Sequence, residues 1–258
     1  MWLSIKDKIW KWRAVLAAAG GVAGMTIAIA YTGAFQLLEW AMFDRFMRLR
    51  SVEDIDRRLV VVTIDESDIR HVGKWPVSGE ILAQLIANIQ AQHPRAIGLD
   101  IYRDLPVEPG HDRLEEVFQH TPTLIGVEKV VGDEVDPPPI LEARDRVSIA
   151  DIVIDPDGKV RRALLSTRSE EDGQIKLSLG VRLALEYLEA EGLELEETNT
   201  QKRYLKIGKA VFKPFLGNDG PYVRATSGGY QILLNYRGTE EQFLTVPMSA
   251  VLAGNISD

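Results

Sequence analysis

Residues 59–102 read LVVVTIDESDIRHVGKWPVSGEILAQLIANIQAQHPRAIGLDIY. The stretch opens on β-branched residues and reaches Asp65, as a buried parallel strand does. Gly73 and Pro76 punctuate a loop. Ser78 then stands where a cap belongs, ahead of a helix over 79–92 whose apolar positions Ile81, Leu82, Leu85, Ile86 and Ile89 keep helical spacing. Pro94 stops that helix, and AIGLDIY supplies a second strand around a second acid, Asp100. Strand, helix and strand in this order form a βαβ unit, which closes right-handed. A third strand is expected at 123–127. The strands 59–65, 95–100 and 123–127 should lie side by side and parallel, with Val61 in the central one.

Further along, Asp112 with Glu115 resembles a capping box opening a helix through Leu114, Val117 and Phe118. GDEVDPPP at 132–139 cannot be regular structure. RVSIADIVI and KVRRALLST flank Asp155-Pro156-Asp157-Gly158, the turn of an expected β-hairpin. A helix over about 177–190 should bury Leu179, Leu183 and Tyr187, with 189–197 as its solvated acidic exit. YLKIGKAVFKPF reads as a small hairpin about Gly208-Lys209, and YQILLNYR as another core strand. No repeat and no long linker interrupts the sequence. The fold class is α/β: one domain with a partly parallel sheet and antiparallel hairpins.

Upstream of the domain the charge is uneven. Lys6, Lys8, Lys11 and Arg13 face only Asp7, a net of +3 within a chain of −8. Residues 14–38, AVLAAAGGVAGMTIAIAYTGAFQLL, then carry no charge for 25 residues, and a membrane crossing needs roughly 20. Trp10 and Trp12 before the run, and Tyr31 and Trp40 near its end, suit the lipid–water interface. The basic start keeps the N-terminus cytoplasmic and puts the domain outside. A signal peptide cleaved near Ala28-Ile29-Ala30 is the first competing reading, but the run exceeds the usual ~7–15 residues of a signal core. A buried core helix is the second. Gly20 and Gly24 form a small-xxx-small pair for close helix packing across a homodimer. Phe35, Leu38, Met42, Phe46 and Leu49 continue at helical spacing, an amphipathic stalk expected to extend the membrane helix. The divisions are therefore a basic N-terminus (1–13), a membrane helix (14–38), a stalk (39–50) and an extracytoplasmic domain (51–258).

Composition narrows the chemistry. With 30 Lys+Arg against 38 Asp+Glu, no basic face for nucleic acid is expected. The absence of cysteine excludes disulfides, thiolate metal sites and cysteine nucleophiles. His71, His93, His111 and His120 share no metal-ligand spacing, and neither a G-x-S-x-G elbow nor a P-loop is present. Asp155 and Asp157 belong to a turn, since Lys159 and Val160 break the spacing of a calcium loop. Arg161 and Arg162 could meet an anion, but alternation along a strand would put one on each face. The candidate ligand contacts are Asp65, Glu66 and Asp100, at strand ends where open α/β sheets bind, and Trp75, which could stack on a ligand. No catalytic residue, metal or cofactor is called for.

FDRFMRLR after the apolar run, then VVVTIDESDI, GKWP, AIGLDIY, PDGKVRRALL and ILLNYRG, in that order, resemble the CHASE-two family. The resemblance implies an extracytoplasmic sensory domain of bacterial receptors associated with nucleotide cyclases and histidine kinases. The chain departs from that pattern after Trp75-Pro76, where many relatives carry an arginine and Val77-Ser78-Gly79 stands here. The pattern usually continues beyond Asp258, so the expectation is the front part of a larger receptor. Its partners would be the lipid bilayer, a second copy and a small-molecule or protein stimulus. The alternative from the residues alone is an extracytoplasmic metal-dependent hydrolase using Asp65 and Asp100.

Overall fold

The computed structural model describes residues 2–170, 173–199 and 201–254. The chain divides into two compact units, one of residues 1–51 with 216–227, the other of 52–215 with 228–258.

The first unit holds α1 (Trp2–Ala30) and α2 (Gln36–Arg48). The amphipathic stretch is helical as its spacing predicts, but it does not extend the apolar helix. Gly33 takes a left-handed φ of 83°, its N–H closing on Ala30 O at 2.9 Å, and the chain turns over 31–35 before helix resumes. Only glycine enters that conformation without cost, so the break is encoded in one residue of the uncharged run.

The second unit is mixed α/β. In chain order it runs β1 (Val60–Thr63), α3 (Glu66–Val72), α4 (Gly79–Gln90), β2 (Ile97–Gly98), α5 (His111–His120), β3 (Leu124–Glu128), α6 (Pro139–Glu142), β4 (Val147–Ile149) and β5 (Arg162–Arg168). It continues through β6 (Ile175–Leu177), α7 (Leu179–Glu189), β7 (Leu195–Asn199), β8 (Tyr204–Ile207), β9 (Ala210–Phe212), β10 (Tyr230–Leu233), β11 (Leu244–Pro247) and α8 (Met248–Leu252).

The parallel sheet has the order β2-β3-β4, with Ile97 opposite Leu124 and Gly126 opposite Val147. β1 is not in it. It pairs in parallel with β11, Val60 opposite Leu244, and leaves Val60 and Val61 52% and 38% exposed. The expected three-strand arrangement is thus corrected: β2 and β3 are neighbours, β1 is not, and Val61 is not central. The partner of β1 comes from the far end of the sequence, which local patterning cannot reveal. β4 likewise pairs with β3, and only the turn end of the hairpin expected about Asp155 forms: Asp155 N–H reaches Lys159 O at 2.8 Å and Val153 meets Arg162 at a single antiparallel bridge. Antiparallel order β10-β5-β6 follows, joined to β4 by one parallel bridge between Ile149 and Ser178. The hairpin about Gly208 forms as β8 and β9, and β7 adds a third strand inside what reads as an acidic exit.

α4 is the hub of the core. Leu82, Ala83, Leu85 and Ile86 are buried with Ile97 and Leu99, Leu114 and Phe118 of α5, and Met248 and Val251 of α8. Ser78 caps it as expected, accepting from Ile81 N–H at 3.5 Å. The next donors are met by the chain ahead of α5: Gly79 N–H reaches Val107 O at 2.8 Å and Glu80 N–H reaches Pro109 O at 2.9 Å. That contact fixes the start of α5 too. Its N-cap is Gly110 at φ 90°, not Asp112, which lies inside the first turn. A Cβ on Gly110 would stand 2.4 Å from Glu80 N. Gly110→Ala is therefore expected to cost about 2–5 kcal/mol through backbone strain and overpacking, read as a lower urea midpoint with an unchanged slope.

Candidate functional site

The four ligand candidates are all exposed, and each has a local setting. Asp65 ends β1 as the N-cap of α3: its Oδ1 accepts from Ser67 N–H at 2.7 Å and Asp68 N–H at 2.9 Å. Those bonds, the one from Asp68 foremost, hold its carboxyl below the usual carboxylate range. The capping box expected at Asp112 is found here instead, completed by Asp68, whose other oxygen accepts from Ser249 N–H at 3.0 Å. Asp68 is buried and ties α3 to the start of α8. Glu66 is the first residue of α3, and Trp75 is 54% exposed in the loop before α4. Asp100 follows β2, and since β1 and β2 share no ladder, the strand adjacency that would bring Asp65 to Asp100 is missing. Asp100 acts on Tyr102, whose phenol is raised by burial first and then by the charges of Asp151 and Asp100. Among the described residues no group of three or more acids and histidines is placed to hold a metal ion.

The charges at the Asp155 turn gather instead. Asp155 has no exposed side-chain surface and receives both arginines, Arg161 at 2.9 Å and Arg162 at 2.7 Å. Arg161 extends its second nitrogen to Asp157 at 2.6 Å, and Arg162 reaches Gln231 Oε1 at 2.9 Å. The expectation of one arginine per face fails because β5 begins only at Arg162; Arg161 is still in the turn and is free of strand alternation. The Arg161 guanidinium is the chief reason that the Asp157 carboxyl lies below its ordinary range. Gln231 then donates to Gly228 O at 2.6 Å, its own carbonyl accepts from Phe215 N–H at 2.7 Å, and Arg162 stands 5.1 Å above the Phe215 ring. The cluster therefore fastens both ends of the segment 216–227.

That segment packs in the first unit against α2. Gln36 offers its whole amide: Oε1 accepts from Val223 N–H at 2.9 Å and Nε2 donates to Pro221 O. One turn on, Trp40 is 5% exposed with its ring 5.7 Å from that of Tyr222, itself 2% exposed. Trp40 is thus a packing residue and not an interfacial aromatic. The apolar stripe of the stalk faces outward: Leu38, Met42, Phe46 and Leu49 are all exposed. On α1, nothing lies within 4 Å of a Cβ placed on Gly20 or Gly24.

A cleft of about 480 Å³, counting its open mouth, lies between the 103–107 loop, α5 and α6. Arg103 lines it at 6% exposure, donating to Val77 O at 2.6 Å. Burial alone pushes this guanidinium below its usual range. Sequence reasoning missed Arg103, Asp68, Gln36 and the role of Trp40, because single polar or aromatic residues at loop and helix positions carry no periodic signal.

A family model described as the CHASE2 domain matches residues 21–258, and the chain belongs to that family of extracytoplasmic sensory domains. Comparison with curated proteins and with solved structures gives no match.

Asp155→Ala would leave two buried guanidiniums without their shared carboxylate, and is expected to cost about 3–5 kcal/mol, measured by chemical denaturation. Asp157→Asn should behave differently with pH. A carboxyl whose folded pKa is depressed contributes stability above its unfolded pKa of about 4 and loses it as pH falls through the folded value. The stability gap between wild type and Asp157→Asn should thus be full at pH 7 and close steadily below about pH 4, read from denaturation midpoints across that range.

Proposed function

We propose that this chain is the membrane-anchored input domain of a bacterial receptor, with its N-terminus cytoplasmic and the domain from about residue 51 periplasmic or extracellular. The observation that carries the reading is α1. Its stretch Trp12–Ala30 is long and apolar enough to cross a bilayer, and no residue in it is buried. Val15, Leu16, Val22, Met25 and Ile27 are all exposed, which water penalises and lipid does not. The basic cluster on the N-terminal side supports the orientation.

A small-molecule or protein stimulus on the domain would pass through segment 216–227 to α2 and the membrane helix, and so to a cytoplasmic output such as an adenylate cyclase or histidine kinase outside this sequence. Two copies would act together. The uncovered stripe Leu38, Met42, Phe46 and Leu49 offers one helix-pairing face, and Gly20 with Gly24 offers a second within the bilayer.

The absence of native cysteine allows a direct topology test. In intact cells, a membrane-impermeant maleimide should label Asp112→Cys and Lys209→Cys, while Lys8→Cys reacts only after permeabilisation. The reverse pattern refutes the orientation. For the relay, Trp40→Ala should free segment 216–227 from α2, seen as amide exchange on the order of tenfold faster there. Exchange in β5 and β10 should stay as in the wild type.

A further inference from the structure

We infer that the cleft beside Arg103 binds a small carboxylate with an apolar body, and that this is the stimulus site of the domain. The inference rests on the sensory reading above, and names the ligand class that reading leaves open.

Three observations point the same way. Arg103 is buried to the extent of 94%, yet among the described residues no carboxylate lies within ion-pair distance of it. A buried guanidinium is normally matched by an anion, because desolvating it alone is costly. The other buried arginines of the domain follow that rule: Arg161 and Arg162 both have Asp155. Next, one protein acceptor does not fill a five-donor fork. Arg103 Nη2 is engaged by Val77 O at 2.6 Å, while its Nε is buried with no partner. Finally, the residue lines an open cleft whose wall is apolar, with Leu114, Phe118, Pro138 and Ile140 beside it. An oxyanion on the guanidinium with a hydrocarbon body against that wall satisfies both surfaces at once.

The charge of the rim limits the ligand. Asp104 and Glu115 also line the cleft, and Glu115 Oε1 lies 3.4 Å from His111 Nε2. A second negative group would meet these carboxylates, so di- and tricarboxylates are disfavoured. An ammonium on the ligand would not be. A plain fatty or aromatic monocarboxylate and an apolar α-amino acid therefore share the recognised chemistry, and the two sources are separable by experiment.

The test uses the whole chain in detergent or nanodiscs, with 4-methylpentanoate and 3-phenylpropionate as the plain acids, leucine and phenylalanine as the amino acids, and the matching neutral amides as controls. Binding is followed by ligand-observed NMR and by calorimetry. At least one acid should bind saturably with Kd below about 1 mM, and its amide should not. Preference for the amino acids assigns the acidic rim to the ammonium; preference for the plain acids leaves the rim outside the contact. Arg103→Gln, which keeps a donor toward Val77 O, should weaken binding by about tenfold or more. Leu105→Trp alters a wall residue that is 70% exposed, so it should block the cleft without lowering the melting temperature. If none of the four acids binds saturably, or if acids and amides bind alike, the inference is wrong and Arg103 only staples its loop to Val77. The cysteine-labelling result is independent, so the site can fail while the membrane-input reading stands.

Discussion

The constraint on which the domain depends is the burial of Asp155. A carboxylate wholly removed from water is tolerable only when matched by cations and hydrogen bonds, and here two consecutive arginines reach it from one side of a turn. The sequence PDG sets the turn, with Gly158 N–H closing on Asp155 O at 2.8 Å, and this brings Arg161 and Arg162 back onto the acid six and seven residues behind them. From there the ordering spreads. Arg162 holds Gln231, Gln231 holds Phe215 and Gly228, and the loop between those residues is thereby given two fixed ends. A hydrophobic pair at the same place could fill the volume, but it would not hold Gln231.

Local patterns in the sequence were readable where the interactions are local. Helix α4 with its Ser78 cap, the buried strand at 124–128 and the Gly208 hairpin all follow from spacing, capping and turn chemistry. Strand pairing was not. β1 carries the most strand-like run in the chain, LVVVTI, yet its partner is 244–247, nearly the whole domain away. Contiguous β-branched residues announce a strand without saying which neighbour it takes, and the neighbour decides whether Val61 is inside or outside.

The candidate site was legible in the same uneven way. Asp65 stood out as an acid at a strand end, and its position is as read, but the adjacent S-D supplies the donors and completes the capping box with Asp68. The same sequence that suggests a ligand therefore supplies a structural partner three residues later. Arg103 had the opposite fate. Nothing around it repeats or alternates, and only the three-dimensional surroundings show a buried cation without a carboxylate. Residues that announce themselves in a sequence do so through regularity, and regularity mostly serves folding.

That asymmetry bears on how a sensory domain can evolve. The groups that lock the 216–227 ends, Arg162 and Gln231, are satisfied inside the domain and make no demand on a ligand. Arg103 is held by a single bond to Val77 O and lies in a loop that also supplies the Val107 and Pro109 carbonyls capping α4. A ligand bound to Arg103 would therefore act on the loop that caps the hub helix of the core, while the ion cluster holds Phe215 and Gly228 through bonds of its own. Keeping the contact open to a ligand apart from the contacts that hold the fold would let the recognised molecule change without remaking the core.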